Sequence, residues 1–170
     1  MKQYIRSAQL ADAEAIARVH VAAWRWAYDG LMPQELLEGL DVAARTKQWQ
    51  QQLCQDNGTA VFVLDDDAGI GGFVSCGPCR DGEARAEVYA LYLLKEKQGT
   101  GAGRMLWQNA CGWLAEQGHD AVQVWVLDTN ELARRFYGKC GLSFDGRTKT
   151  SQWAGAELRE VSYSGPLAGA

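Results

Sequence analysis

The sequence of 170 residues contains no long apolar run, no cluster of basic residues and only three prolines. A membrane-spanning helix needs about 18 or more consecutive apolar residues, so no transmembrane segment and no membrane partner are expected. The first fifteen residues also lack the apolar centre of a signal peptide, which predicts a cytoplasmic protein. Because the net charge is -4 and Lys and Arg do not cluster, we expect no nucleic-acid partner.

Internal repeats and proline-rich linkers are also missing, and the one compositionally simple stretch is the end of the chain, residues 165–170 (GPLAGA). A chain of this length can bury one hydrophobic core but not comfortably two. We therefore expect a single domain over residues 1–170. Its content of 47% hydrophobic and 22% charged residues is typical of a globular protein.

The five cysteines form no disulfide framework, which fits a reducing compartment. Residues 76–79 (CGPC) spell the dithiol of thioredoxin-like oxidoreductases, in which the first cysteine lies at a helix N-terminus that lowers its thiol pKa. Here residues 80–82 (RDG) follow, and the next segment alternates like a strand. We interpret the motif as a connection between two antiparallel strands and keep a redox protein as an alternative. Besides Cys76 and Cys79, no second pair of cysteines or histidines has the spacing of a zinc finger or ribbon, so no metal is expected.

Hydrophobic periodicity predicts a strand, two helices, three strands, a helix, a strand, a helix and two final strands. The predicted helices cover residues 12–28, 33–53, 101–118 and 130–141, and the predicted strands cover residues 3–8, 61–64, 70–75, 86–94, 120–127, 143–144 and 158–163. His20 lies on the apolar stripe of the first helix, so we interpret it as a packed histidine rather than a ligand.

A glycine-rich stretch, residues 98–104 (QGTGAGR), separates the third of the three consecutive strands from the clearest helix. Glycine lets the backbone turn tightly and approach a ligand, and the first N–H groups of a helix have no intrahelical partners. This combination favours a bound phosphate, with a plain tight turn as the alternative. The spacing fits neither a Walker A motif nor a GxGxxG dinucleotide fingerprint.

In these residues the chain resembles the GNAT superfamily of N-acetyltransferases, whose signature is [QR]xxGx[GA]. Gln98, Gly101 and Gly103 match this signature, and residues 130–144 (NELARRFYGKCGLSF) are similar to the family's NxxAxxFYxxxGF segment, with a slight departure before Phe144. The resemblance covers nearly the whole chain. It implies an α/β (α+β) fold in which helices flank a mixed, largely antiparallel sheet of about seven strands.

The resemblance further implies acetyl-CoA as cosubstrate, with its pyrophosphate on the glycine-rich stretch and its pantetheine between the strands at residues 89–93 and 122–127. Backbone N–H groups near Leu91 and Tyr92 would stabilise the oxyanion of the reaction. The implied cofactor-binding residues are Leu91, Tyr92, Leu93, Gln98, Gly99, Thr100, Gly101, Ala102, Gly103, Arg104 and Asn130. A helix N-cap is a second role for Asn130, compatible with the first.

Two catalytic residues are implied in the same way. Glu87, eleven residues before Gln98, matches a glutamate that acts as base or relays through water in some family members. A base is needed because an alkylammonium, with a pKa near ~10.4, is not nucleophilic at neutral pH. Tyr137 matches a tyrosine that protonates the departing CoA thiolate. An exposed strand position and a core aromatic are the alternative interpretations of these two residues.

The implied function is transfer of acetyl from acetyl-CoA to a primary amine of a small molecule or peptide, by direct attack in a ternary complex. For the acceptor, the resemblance implies the connection between the first two helices and the strand hairpins, with Trp24, Trp26, Tyr28 and Asp29 as candidates. Family members are often dimers, so a homodimer is one expected assembly. A non-catalytic domain that senses acyl-CoA is the main alternative.

Overall fold

One seven-stranded sheet with helices on both faces organises the chain. The computed structural model describes residues 2–167, so Met1 and residues 168–170 of the predicted domain lie outside the described residues. The strands are β1 Tyr4–Ser7, β2 Ala60–Asp66, β3 Gly69–Pro78, β4 Ala86–Leu93, β5 Ala121–Leu127, β6 Ser143–Trp153 and β7 Ala156–Pro166; the helices are α1 Ala13–Ala27, α2 Gln34–Glu38, α3 Val42–Leu53, α4 Ala102–Glu116 and α5 Glu131–Lys139.

The strands lie side by side in the order β1-β2-β3-β4-β5-β7-β6. Neighbouring strands run antiparallel except for β4 and β5, which are parallel. The prediction of a mixed, largely antiparallel sheet of seven strands flanked by helices is confirmed. None of the helices within residues 2–167 has both the length and the apolar character needed to cross a membrane.

The second predicted helix, over residues 33–53, is wrong as a continuous element because the structure divides it into α2 and α3. Gly39 follows α2 as its C-cap. The side chain of Asp41 then accepts a hydrogen bond from the backbone N–H of Ala44 at 2.8 Å and caps α3. A local N-cap therefore starts a new helix where the apolar spacing alone predicts continuation.

The final two strands are longer than predicted and form a hairpin. Ala154 and Gly155 make its turn with positive φ angles of 48° and 80°, as two-residue hairpin turns require. Few apolar residues mark the outer part of this hairpin, so hydrophobic alternation indicated only the segments near the core.

Two cores lie on opposite faces of the sheet, and β2 contributes to both. Val61 and Val63 pack in the core beneath α1 and α3, whereas Phe62 and Leu64 pack in the core beneath α4 and α5. Alternate strand side chains point to opposite faces, so a strand buried on both sides reads as a continuous apolar run. This explains the sequence AVFVL at residues 60–64.

A β-bulge in β4 changes which side chains face which core. Val88 pairs with Cys76 and Ala90 pairs with Ser75, so Tyr89 is the extra residue opposite the β3 strand. Val88 packs beneath α4, whereas Ala90 packs beneath α1.

Side chains at the two ends of β4 consequently alternate between the faces of the sheet in different registers. Ala86 packs beneath α4, so its neighbour Glu87 points to the α1 face. Tyr92, five residues later, also packs on the α1 face. An unbulged strand would place residues five apart on opposite faces, so the bulge brings Glu87 and Tyr92 to the same side.

Candidate active site

A cleft of about 180 Å³ opens where β4 and β5 diverge. These strands pair only through Ala86 with Val122 and through Glu87 with Gln123. Residues predicted for the site that line the cleft are Trp26, Tyr28, Leu91, Tyr92, Leu93, Gln98, Gly103, Asn130 and Tyr137. The structure thus brings most predicted cofactor residues and two acceptor candidates to one cavity.

The glycine-rich stretch forms the turn into α4, and its residues Gln98 and Gly103 line the cleft. Gly99 and Gly101 have φ angles of 71° and 88°, a left-handed conformation that favours glycine. The backbone N–H of Met105 donates to the carbonyl of Gly101 at 3.1 Å, so the N–H groups of residues 101–104 precede this intrahelical bond. Such groups, together with the helix dipole, suit an anion.

An ion pair fixes the chain just before this turn. Lys97 donates to the carboxylate of Asp66, and only 12% and 1% of the two side chains are exposed. The hydrogen bond from Lys97 lowers the pKa of Asp66. The stem of Lys97 lies against Gly71, where a Cβ would approach Lys97 Cε to 2.7 Å. The start of the loop is thereby anchored to the β2–β3 hairpin.

Tyr137 lies buried on α5 with its side chain in the cleft lining. Its ring packs edge-on against Trp107 and Phe136, with centroids 5.5 and 5.2 Å away. Burial raises the pKa of Tyr137, so the phenol keeps its proton at neutral pH and can donate it. On the same helix, Asn130 accepts a hydrogen bond from the N–H of Ala133 at 3.1 Å, which confirms its predicted N-cap role.

Glu87 is buried, with only 1% of the residue exposed, so the alternative of an exposed strand position is wrong. Its carboxylate accepts hydrogen bonds from the backbone N–H and Nε of Arg80 at 3.0 and 3.1 Å. The guanidinium lies 4.8 Å from the centre of the Tyr89 ring. Glu87 faces the α1 side but is not among the residues that line the cleft, and its role as base stays a prediction.

The acceptor candidates divide into two groups. Trp26 donates its indole N–H to the carbonyl of Leu93 at 3.4 Å, and the hydroxyls of Tyr28 and Tyr92 are 2.9 Å apart inside the cleft. Trp24 packs behind Tyr28, with the ring centroids 5.1 Å apart, and Asp29 is exposed. Trp24 and Asp29 do not line the cleft. Trp26 and Tyr28 at the end of α1 and Tyr92 of β4 thus form an aromatic wall with two phenol groups.

Six lining residues were not predicted, namely Ala23, Ala27, Val88, Leu132, Ala133 and Phe136. Four others, Tyr89, Ala90, Trp125 and Val126, were predicted only as parts of the two strands that flank pantetheine. The lining residues on α5 lie beside Tyr137 on one helix face and could have been found from helical spacing. Tyr89 could not, because its orientation depends on the bulge. Trp125 lies at the centre of the predicted strand VQVWVL, and alternation does not tell which face of that strand meets a ligand.

His20 packs behind the aromatic wall, as predicted. Its Nδ1 accepts a hydrogen bond from the indole N–H of Trp49 at 3.2 Å, and its ring stacks on Tyr92 with centroids 5.4 Å apart. Burial, with a smaller effect from the charge of Arg45, lowers the pKa of His20 to about 3. The ring is therefore neutral at pH 7.

We expect the protein to lose stability as the pH falls below 6.5, the ordinary pKa of His20. Between pH 6.5 and about 3 the unfolded state binds a proton that folded His20 does not, so acid favours unfolding by up to about 1.4 kcal/mol per pH unit. In urea titrations from pH 7 to 4, His20→Gln should flatten this dependence, since Gln can still accept from Trp49. If the free energy of unfolding falls equally with pH in the wild type and in His20→Gln, His20 is not the group responsible.

A polar network joins the strands where β4 and β5 still pair. Arg147 donates to Asp81, Asp145 and Ser162, each at 2.9 Å, and also to the fully buried Gln123. Although burial opposes the ionisation of Asp145, hydrogen bonds from Arg147 and Ser162 lower its pKa to about 2. The network connects the β3–β4 turn to β5, β6 and β7.

The CGPC segment begins inside β3, which ends at Pro78, so only Cys79 lies in the predicted connection from β3 to β4. Burial raises the pKa of Cys76 to about 12 and that of Cys79 to about 11, and the Cys79 thiol donates to Asp81 at 2.6 Å. Redox dithiols need the opposite shift. Within residues 2–167, no group of three or more His, Cys, Asp or Glu side chains is arranged to hold a metal ion.

Known proteins are similar to this chain in sequence and in fold. A sequence profile of the acetyltransferase (GNAT) family matches residues 18–142. The uncharacterized N-acetyltransferase YuaI of Bacillus subtilis (strain 168) is 36% identical over 167 residues, which cover 95% of this chain and 92% of the relative.

Solved structures give the same result for the fold. PaiA N-acetyltransferase from Thermoplasma acidophilum, in complex with coenzyme A, superposes with a TM-score of 0.75 at 20% identity, over 95% of this chain and 98% of that one. YncA from Salmonella typhimurium, solved with its cofactor acetyl-CoA, superposes with a TM-score of 0.74 at 19% identity, over 100% of this chain and 96% of that one. From the sequence profile and its relative, the chain belongs to the GNAT acetyltransferase family.

Proposed function

We propose that this chain, as a single domain, transfers acetyl from acetyl-CoA to a primary amine of a small molecule or peptide. The observation that carries the proposal is the cleft between diverging β4 and β5, whose lining includes Gln98 and Gly103 of the glycine-rich stretch together with Trp26 and Tyr28. Membership of the family supports the reaction type. PaiA and YncA, which share the fold, have coenzyme A and acetyl-CoA in their structures.

The described residues fit the cosubstrate. Side-chain positions at Gly99 and Gly101 face open space, with nothing within 4 Å of a Cβ placed there, so a pyrophosphate can approach the backbone. Beyond Glu87, the facing edges of β4 and β5 are not paired with each other, which leaves backbone groups for the amides of pantetheine. Bound acetyl-CoA would supply the activated thioester.

The residues of the cleft divide the chemistry among them. In the proposed reaction the amine nitrogen forms a bond to the acetyl carbon while the carbon–sulfur bond breaks. N–H groups alternate along a strand, so Leu91 or Tyr92 directs one into the gap, where it stabilises the oxyanion. Tyr137 donates its proton to the departing thiolate.

Glu87 would accept the proton that the attacking amine loses. Leu91 lies four residues further along β4, but the bulge shortens this span to three strand steps, or about 10 Å, so we propose that water carries the proton between the amine and Glu87. Arg80 holds the carboxylate in one orientation through its backbone and side-chain hydrogen bonds.

Calorimetric titration with acetyl-CoA, followed by thiol release in the presence of primary amines and lysine peptides, tests this function. Saturable binding with amine-dependent thiol release would support it. Binding without release for any amine would favour an acyl-CoA sensor, and absence of binding would overturn the proposal.

We expect Glu87→Gln to lower kcat by about 100-fold, because the base is lost, while the affinity for acetyl-CoA is unchanged. Arg80→Gln is the matched control, since it breaks the same ion pair but keeps the carboxylate. If Glu87 serves only the structure, both variants should unfold at lower urea concentration and both should retain kcat. Stopped-flow thiol release and urea denaturation distinguish these results.

A further inference from the structure

Three side chains form an ammonium-binding arrangement at the edge of the cleft, here called the cation site: Trp125, Lys149 and Glu160. Lys149 Nζ lies 4.4 Å from the centre of the Trp125 ring and 3.6 Å from Glu160 Oε2. An aromatic face together with a carboxylate is how proteins recognise organic cations. Since Trp125 also lines the cleft, the cation site and the cleft share a side chain.

The position of the cation site along the sheet suits part of an acceptor. Gln123 pairs with Glu87 on the neighbouring parallel strand. Because the bulge adds Tyr89 to β4, Trp125, two residues beyond Gln123, lies level with Ala90. Leu91 is the next residue, about 3 Å further along β4. The cation site thus lies within reach of a short alkyl chain from the segment proposed to hold the reacting carbonyl.

Lys149 is the exchangeable cation of this arrangement. Arg147 also lies near Trp125, at 5.5 Å from its ring centre, but Asp81 and Asp145 bind its guanidinium. Lys149 has Glu160 as its one ion-pair partner among residues 2–167, and 45% of its side chain is exposed. Exposed ion pairs contribute little to stability, so an incoming ammonium can replace Lys149 without leaving Glu160 unpaired.

We propose that the cation site binds a second ammonium group of the acceptor. This inference rests on the proposed acetyltransferase function and narrows its substrate to dications with two amino groups joined by an alkyl chain. One amino group reacts in the cleft, while the other displaces Lys149 from Trp125 and Glu160.

Paired substrates of equal chain length test this proposal. Wild-type protein should use 1,5-diaminopentane with a kcat/KM about tenfold higher than that for pentylamine. Glu160→Gln should remove this preference by raising KM for the diamine about tenfold, with pentylamine unchanged. Lys149→Gln, which removes the competing ammonium, should lower KM for the diamine.

Glu157→Gln is the matched control for charge. Glu157 is an exposed carboxylate on the same strand, three residues from Glu160 and therefore on the opposite face. It should retain the wild-type preference. The proposal is overturned if the wild type has the same kcat/KM for the two amines. It is also overturned if Glu160→Gln changes KM for the diamine no more than Glu157→Gln does.

A binding measurement separates failure of this inference from failure of the proposed function. If no amine is acetylated, 1,5-diaminopentane can still be titrated against the NMR signal of the Trp125 indole N–H, assigned through Trp125→Phe. A saturable shift in the wild type that is lost in Glu160→Gln would support the cation site without the enzyme activity. No shift in the wild type would overturn it.

Discussion

Replacing Gly101 by Glu is expected to abolish acetyl-CoA binding, with a loss of affinity of at least about 100-fold. Gly101 has a φ of 88°, a conformation that costs other residues about 1 kcal/mol or more. The substitution also places a negative charge beside the N–H groups proposed to bind the pyrophosphate. Repulsion and strain act together, and calorimetric titration with acetyl-CoA measures the loss.

Two further variants separate strain from charge. Gly118→Glu introduces the same charge at a φ of 87°, but at the opposite end of α4, and should bind acetyl-CoA like the wild type. Gly101→Ala keeps the strain without the charge and should show an intermediate affinity. Equal binding by Gly101→Glu and the wild type would show that the pyrophosphate lies elsewhere.

Tyr137→Phe is expected to lower kcat by about 100-fold, while acetyl-CoA binds with nearly wild-type affinity. The phenol is buried in the cleft and its pKa is raised, so at neutral pH it keeps the proton that it would donate to the thiolate in the proposed reaction. A positioned general acid contributes about 10²- to 10⁴-fold in rate. Single-turnover thiol release, measured in parallel with cofactor titration, separates the chemical step from binding.

The ring of Tyr137 also packs against Trp107 and Phe136, so the hydroxyl must be tested apart from the core. Phe keeps the ring, and urea denaturation should show little change in the free energy of unfolding. Tyr4→Phe, at a half-exposed position on the edge strand β1, controls for removal of a hydroxyl outside the cleft. A Tyr137→Phe enzyme with wild-type kcat would exclude the proposed proton donation.

Local signals explain what the sequence could predict. The glycine-rich stretch at residues 98–104 combines a turn, a helix start and a phosphate-type loop within seven residues, so no tertiary information is needed to find it. α4 and α5 have both a clear apolar stripe and recognisable ends. The division between α2 and α3 was not predicted because the apolar spacing continues across it. Gly39 and Asp41 together, as a helix end followed by an N-cap, indicate this boundary.

Tertiary pairing decides the rest. Glu87 could be named as a candidate, but its partner Arg80 is found only once the turn after β3 folds back. The network of Arg147 collects residues from β5, β6, β7 and a turn, which no spacing rule connects. The cation site likewise needs Trp125 on one strand to meet Lys149 and Glu160 on two others.

The bulge at Tyr89 acts as a phase shift within a single strand. Side chains alternate between the two faces of the sheet on either side of Tyr89, but the bulge shifts this alternation by one residue. β4 therefore behaves as two short strands joined end to end. Deletion of Tyr89 would leave the chemical composition of the strand almost intact, yet one half would exchange its two faces. Leu91 would then turn away from the α4 core, and the cleft would lose its wall without any change in the glycine-rich loop.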